Sequence, residues 1–410
     1  MGRVWRRNLW ATWFAELLAI MGFSAMFPIM PYYIQELGIS GDAVARWSGI
    51  VTAAAALTMG VMGPIWGALS DRYGRKVMVV RAMFGGTLVI GLMGFVRNVE
   101  QLTVLRLMQG VLTGTVTAAT TLVASATPRE RLGETLGKLQ LAVFLGQSFG
   151  PVTGGIAADT LGYRAVFWLT SAYLLISGLL VLTLVREEFT PAASKAQGPL
   201  WQRIRQNFAL LFVGSLLGLV LGLRFALRLG LRMSTPLLPL LVQEILPAGS
   251  LLGSASGLLT SVSGIASAIA APLLGRFADH HGGRGLLLAC AFLSAIALSL
   301  QAFIPTYWLL IVAQVFLGFA IGGTLSVISA YIGRLAPEGL AGTAYGLDST
   351  AVSMANAIGP LVGGWLADAQ TLRTPFFVGG FLTALAGLGV LRLPQDGKQA
   401  APAVELAQGA

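Results

Sequence analysis

Five ionisable side chains interrupt otherwise apolar stretches of this chain: Glu16, Arg106, Arg224, Arg228 and Arg232. A glutamate can load and release a proton, or hold a cation. An arginine stays charged and offers a planar fork of donors to an anion. Arg224, Arg228 and Arg232 recur at i, i+4 and i+8, drifting about 40° per step, so on a helix they form one polar stripe. Two amides, Gln109 and Gln314, interrupt other apolar runs and are further candidates for lining a polar cavity. One acid facing several arginines would give such a cavity a net positive potential, suited to neutral or anionic lipophiles. Nothing points to an enzyme: no nucleophile, base and acid come together. The adjacent His280 and His281 cannot share a helix face, so no metal site is expected, and no cofactor.

The surroundings say where these charges sit. Of 410 residues, 55% are hydrophobic and 11% charged, with a mean hydropathy of +0.77, whereas soluble domains carry about 25% charged residues. A helix needs about 20 mostly apolar residues to cross the hydrocarbon. Twelve such spans can be laid down, at 9–33, 45–69, 77–96, 102–125, 135–158, 165–185, 212–243, 251–274, 285–304, 307–333, 342–367 and 375–393. Short connections suggest that consecutive spans are antiparallel neighbours. The fold class is therefore all-α, a polytopic membrane protein. A charge at mid-bilayer costs about 2.5–3.5 kcal/mol on insertion scales, which makes each intramembrane charge a functional hypothesis.

The net charge of +10 comes from 27 Lys and Arg against 17 Asp and Glu. With the N-terminus placed inside, 19 of the 27 cations fall on the cytoplasmic side, 4 on the other side and 4 within spans. That bias puts both termini in the cytoplasm. It also accounts for the basic balance without a nucleic-acid partner. The apolar N-terminal stretch is too long for a signal peptide, contains Glu16, and lacks a small-residue cleavage site.

The chain repeats itself. Pro28, Pro31, Gln35, Glu36, Pro64, Gly67 and Asp71 fall on Pro236, Pro239, Gln243, Glu244, Pro272, Gly275 and Asp279 at a shift of 208; Gly150, Pro151, Gly154, Gly155 and Asp159 fall on Gly359, Pro360, Gly363, Gly364 and Asp368 at 209. Six spans per half is an even number, so the halves are parallel repeats, an arrangement known in secondary transporters with a site near mid-membrane between repeats. The domains are 1–186 and 207–393, with a cytoplasmic linker at 187–206 and a cytoplasmic tail at 394–410. The 208-residue shift sets Arg224 opposite Glu16, so the two could simply neutralise one another. Asp348 reads as a first-turn helix charge, and Asp159 and Asp368 as boundary residues.

Three motifs complete the picture. Gly67, Asp71, Arg72, Gly74, Arg75 and Lys76 form a tight loop after the second span. Leu105-Arg106-Leu-Met-Gln109-Gly110 lies in the fourth span. The fifth span carries Gly137, Gly146, Gly150, Pro151, Gly154 and Gly155, whose small residues allow close helix contact while the proline frees a carbonyl and bends the helix. Together these resemble the major facilitator superfamily, and within it the 12-span drug:proton antiporter branch of the bacterial multidrug-efflux type. The resemblance implies two parallel six-helix repeats and alternating access. It makes spans 1, 4, 7 and 10 the lining of a central cavity holding Glu16, Arg106, Gln109, Arg224, Arg228, Arg232 and Gln314. Glu16 and Arg106 would couple protons, and the loop and fifth-span motifs would govern conformational change. The expected protein is a monomer of the cell inner membrane, in contact with lipid bilayer, protons and a small-molecule substrate that is a drug or lipophile. The alternative is an exporter or carrier for an organic anion, sugar or other metabolite, and a non-transporting receptor or scramblase is more distant.

Overall fold

A computed structural model describes residues 2–128, 131–187, 216–336 and 341–394. The expected linker, apart from Glu187, and the tail beyond Pro394 lie outside the described residues, as do Arg129 and the other cations counted there. Helices account for all regular structure among the described residues. In chain order they are α1 (Gly2–Met26), α2 (Met30–Glu36), α3 (Ala43–Tyr73), α4 (Arg75–Met93), α5 (Val99–Leu112), α6 (Thr115–Ala126), α7 (Leu132–Leu161) and α8 (Tyr163–Leu184). The second half runs α9 (Leu216–Ser234), α10 (Leu238–Ile245), α11 (Leu252–His281), α12 (Gly283–Gln301), α13 (Tyr307–Leu335), α14 (Ala341–Ala369) and α15 (Thr374–Gly389).

Ten spans are long and apolar enough to cross a membrane among the described residues. The two remaining helices at span positions, α9 and α14, are the more polar ones. Three arginines dilute α9, and Gly, Ser, Asn356 and Pro360 dilute α14.

Three local departures from the expected spans have backbone causes. The first and seventh spans end early, at Met26 and Ser234, and continue as short separate helices. Each break precedes a Pro-x-x-Pro pair, and proline removes a helical donor while restricting the residue before it. The fourth span, expected to be continuous, is broken at Thr113–Gly114, where Gly114 adopts φ 119 and ψ 41. Only glycine takes that conformation cheaply.

Consecutive spans are neighbours in places, as where α4 packs on α5 and α6 and α12 on α13, but the most extensive packing lies elsewhere. Helix α1 packs chiefly on α7 and α8, and α3 on α5, while in the other half α9 packs on α14 and α15, and α11 on α13. Two pairs join the halves: α3 with α14, and α7 with α11. These pairs are equivalent under the repeat. Their closeness rests on glycine. A Cβ at Gly155 would meet the backbone of Gly253 and Ser254, and one at Gly364 would meet that of Ala45 and Gly49.

Candidate functional site

Glu16 lies midway along α1 and is completely enclosed. Its Oε1 accepts a hydrogen bond from Thr115 Oγ1 at 3.4 Å. Thr115 is the first residue of α6, so the break in the fourth span brings a helix N-terminus to the carboxylate. Free backbone donors and the positive end of the helix dipole favour negative charge there. Glu16 Oε2 has no hydrogen-bond partner among the described residues, and neither does Thr12 Oγ1, one turn earlier on the same face of α1. Two enclosed polar atoms without partners are unusual in a folded interior.

Arg106, on α5, is buried, and its Nη1 donates to Gln109 Oε1 at 2.9 Å. Its Nε has no partner among the described residues. The broken span is braced from α3, where Thr58 Oγ1 donates to Leu107 O at 2.9 Å and Trp66 Nε1 to Val111 O at 2.7 Å. Trp66 in turn lies under Arg81, whose guanidinium carbon is 3.4 Å from the ring centroid. Arg81 sits in the second turn of α4.

The arginine stripe faces α14. Arg224 Nε lies 3.2 Å from Asp348 Oδ1, both side chains being largely buried. The pair is within ion-pair distance but outside hydrogen-bond alignment. This corrects two expectations. Glu16 forms no ion pair with Arg224 among the described residues, and Asp348 lies beyond the first turn of α14 and serves a partner on another helix. One and two turns on, Arg228 Nε and Arg232 Nε both donate to Asn356 Oδ1, at 3.3 and 2.7 Å. Asp348 to Asn356 spans the same eight residues as Arg224 to Arg232, as expected for two helices running in the same direction. Gln314, the repeat counterpart of Arg106, donates through Nε2 to Gln301 Oε1 at 3.0 Å within its own half.

The motif loop is a tight connection. Gly67, Asp71 and Arg72 lie in the last turns of α3, Gly74 takes φ 100, and Arg75 and Lys76 open α4. Glu187, beyond the sixth span, caps α4 by accepting from Arg75 N at 3.0 Å and Lys76 N at 2.8 Å. Lys76 Nζ donates to Leu182 O and Val185 O at the end of α8, at 2.8 and 2.7 Å. The fifth-span motif is a contact surface: Gly146 faces Ile20, Gly150 faces Met21 and Ser24, and Gly154 faces Ala25, all on α1. Pro151 and Gly155 face Gly257 and Gly253 of α11 instead.

Polar bridges between the halves gather at the end carrying the 37–42 and 246–251 connections. Asp159 accepts from Gly253 N at 2.9 Å and Ser254 N at 2.7 Å, so it caps α11 from the other half. Arg46 Nη1 pairs with Asp368 Oδ2 at 3.0 Å. Gln35 and Gln243 exchange amide hydrogen bonds, and Tyr32 OH donates to Pro239 O at 2.6 Å. Asp159 and Asp368 are thus more than boundary residues. Their signal was present in the repeat, since they are equivalent to one another and their partners Ser254 and Arg46 are equivalent too.

The molecule is thus a helical bundle of two repeats, bridged at one end and carrying buried charges within each half. The Major Facilitator Superfamily profile matches residues 12–227 and again 220–408. The chain belongs to that family. Multidrug resistance protein MdtG of Enterobacter lignolyticus (strain SCF1) is 31% identical over 404 residues, covering 98% of this chain and 96% of that protein. MdtG of Salmonella heidelberg (strain SL476) is 32% identical over 375 residues, covering 91% of this chain and 92% of that protein. Among solved structures, the nucleoside transporter NupG superposes with a TM-score of 0.77 at 13% identity, covering 94% of this chain and 100% of that one. The human organic anion transporter MFSD10 does so with a TM-score of 0.68 at 18% identity, covering 94% and 99%.

Proposed function

We propose that the protein exports small lipophilic compounds or drugs across the bacterial inner membrane in exchange for protons, by alternating access. Its moving bodies are residues 1–186 and 207–393, joined by the linker 187–206, and it works as a monomer. The relatives named as multidrug resistance proteins support export, and the 19-to-4 cation bias supports cytoplasmic termini. With that orientation the bridged end faces outward, and substrate loads from the cytoplasmic side.

Glu16 is the observation that carries the proton-coupled reading. An enclosed carboxyl group on α1, with one oxygen uncommitted, is a group whose charge must answer to its surroundings. Ionised, it needs the α6 N-terminus, a cation or water; protonated, it can be closed off from all three. Protonation of this carboxyl group and substrate loading then exclude one another, which is what exchange requires. Arg106 supplies the fixed positive charge on the neighbouring broken span, and Gln109 holds its orientation. The motif glycines Gly146, Gly150 and Gly154 pack α7 closely on α1 within its half, and Gly155 lets α7 approach α11, against which it moves as the halves rock. The loop of Gly67, Asp71, Arg72, Gly74, Arg75 and Lys76 serves the same change at the cytoplasmic end.

The test is efflux of a lipophilic dye from proteoliposomes under an imposed pH gradient. Wild-type flux should rise with the gradient, while Glu16→Gln should leave facilitated dye movement that no longer responds to it. Arg106→Ala should reduce coupled flux by about tenfold or more, the scale of one lost charge-assisted interaction. Flux indifferent to the gradient in the wild type, or unchanged coupling in both variants, refutes the reading.

A further inference from the structure

We infer that Arg228, Arg232 and Asn356 form an anion-binding subsite, and that the favoured substrates carry a carboxylate, sulfonate or phosphonate on a lipophilic body. The inference rests on the export reading above. It starts from an imbalance. Of the three stripe arginines, Arg224 has a carboxylate, Asp348, at 3.2 Å. Arg228 and Arg232 share a single neutral acceptor, Asn356 Oδ1. No Asp or Glu lies within ion-pair distance of either among the described residues. Two cations one turn apart repel each other, and a neutral amide oxygen offsets little of that.

Geometry makes the pair usable by a ligand. Arg228 and Arg232 are each intermediate in exposure as residues, and each commits only its Nε to Asn356 among the described residues. Both are oriented through Nε by the same oxygen, which leaves the terminal nitrogens of each fork for a planar or tetrahedral anion. Their backbone is fixed: Gly359, one turn beyond Asn356, lies against Arg232 Cβ and Leu229 O, so α9 and α14 touch there. Helix α14 also packs on α3 of the other half, which sets the subsite beside the junction that must move in transport. An arriving anion would neutralise charge that the resting protein leaves unbalanced, whereas a cation would add to it. Glu16, on the opposite half, is left for the proton.

Binding and coupling can be read separately on the full chain. Three pyrene probes that share one body are used: pyrenebutyrate, neutral pyrenebutanol and a pyrenebutyl trimethylammonium. Binding to protein in lipid nanodiscs is followed by tryptophan-to-pyrene energy transfer, corrected with empty nanodiscs. The expected order of affinity is anion, then neutral, then cation. Arg228→Gln/Arg232→Gln should weaken the anion about tenfold or more and the neutral probe by less than about twofold. Asn356→Asp keeps both arginines and gives them a built-in carboxylate; it should weaken the anion as much while raising the melting temperature. Anion affinity unchanged in both variants, or equal losses for anion and neutral probe, overturns the subsite. If anion binding depends on the arginines but a pH gradient drives no probe, the subsite stands and the export reading falls. If the neutral probe is driven by the gradient but the anion binds independently of both arginines, the subsite alone falls.

Discussion

Asp348 is the residue whose partner the sequence hid most completely. The span boundaries drawn from the sequence make it look like a first-turn helix charge, yet it is the eighth residue of α14 and sits 3.2 Å from Arg224 with both side chains mostly buried. The repeat register pointed instead to Glu16, because equal positions in the two halves look like partners. Symmetry-related positions are equivalent, and equivalence places them in corresponding environments on opposite halves, not in contact. Removing one member of a buried pair leaves the other uncompensated, which costs about 3–5 kcal/mol when burial is complete. With side chains still 12% and 14% exposed, a loss of about 2–4 kcal/mol is the reasonable scale. Asp348→Asn should therefore lower the melting temperature of the purified protein in detergent, and adding Arg224→Gln should recover part of the loss. Coupled transport should survive Asp348→Asn better than Glu16→Gln. An unchanged melting temperature together with lost coupling would make Asp348 the proton carrier.

At the scale of helices, the fifth span offers an internal comparison. Gly137 belongs to the sequence motif, but a Cβ there meets nothing within 4 Å, whereas one at Gly146 would lie 2.8 Å from Ile20 Cβ and one at Gly150 would run into Met21 O. Glycine inside a helix costs roughly 0.5–1 kcal/mol relative to alanine. Gly137→Ala should hold or raise the melting temperature, and Gly150→Ala should lower it and slow transport, since the added methyl forces α7 off α1 within one moving body. Equal effects at the two positions would mean that the motif is read by something other than helix contact. Much of this level was legible beforehand. Apolar run length located the spans, and glycine spacing marked the face that contacts α1. The breaks at Met26 and Ser234 carried a local signal in the Pro-x-x-Pro pairs that follow them, but the break at Thr113–Gly114 was not legible, because it depends on what neighbouring helices supply. At the fourth span Trp66 and Thr58, from α3, bond to the carbonyls at Val111 and Leu107, and Thr115 reaches Glu16. Those partners lie some fifty to a hundred positions away in the chain, so no local pattern announces them.

At the scale of the whole molecule, two equivalent carboxylates bridge the halves, in unequal ways, at the end carrying the 37–42 and 246–251 connections. Asp159 bonds two backbone amides at the start of α11, while Asp368 meets the side chain of Arg46, with exposures of 24% and 41%. A half-exposed ion pair is worth about 0–1 kcal/mol. Hydrogen bonds from backbone amides to a charged acceptor are each worth roughly 1.5–3 kcal/mol, less where water competes. Because the halves meet through α3 with α14 and α7 with α11, rigid-body rocking must break both latches in one step. The closed population should therefore depend on their combined strength, with Asp159 the larger part. Spin labels on the 37–42 and 246–251 connections report the separation directly. Asp159→Asn should shift the distance distribution toward the wider state by about tenfold in population ratio, roughly 1.4 kcal/mol. Asp368→Asn should shift it severalfold less, and the double variant should combine the two. Should Asp368→Asn open the end as far as Asp159→Asn, the ranking by backbone capping is wrong. Should neither variant move the distribution, the glycine contacts between Gly155 and Gly253, and between Gly49 and Pro360, hold the end shut without the carboxylates.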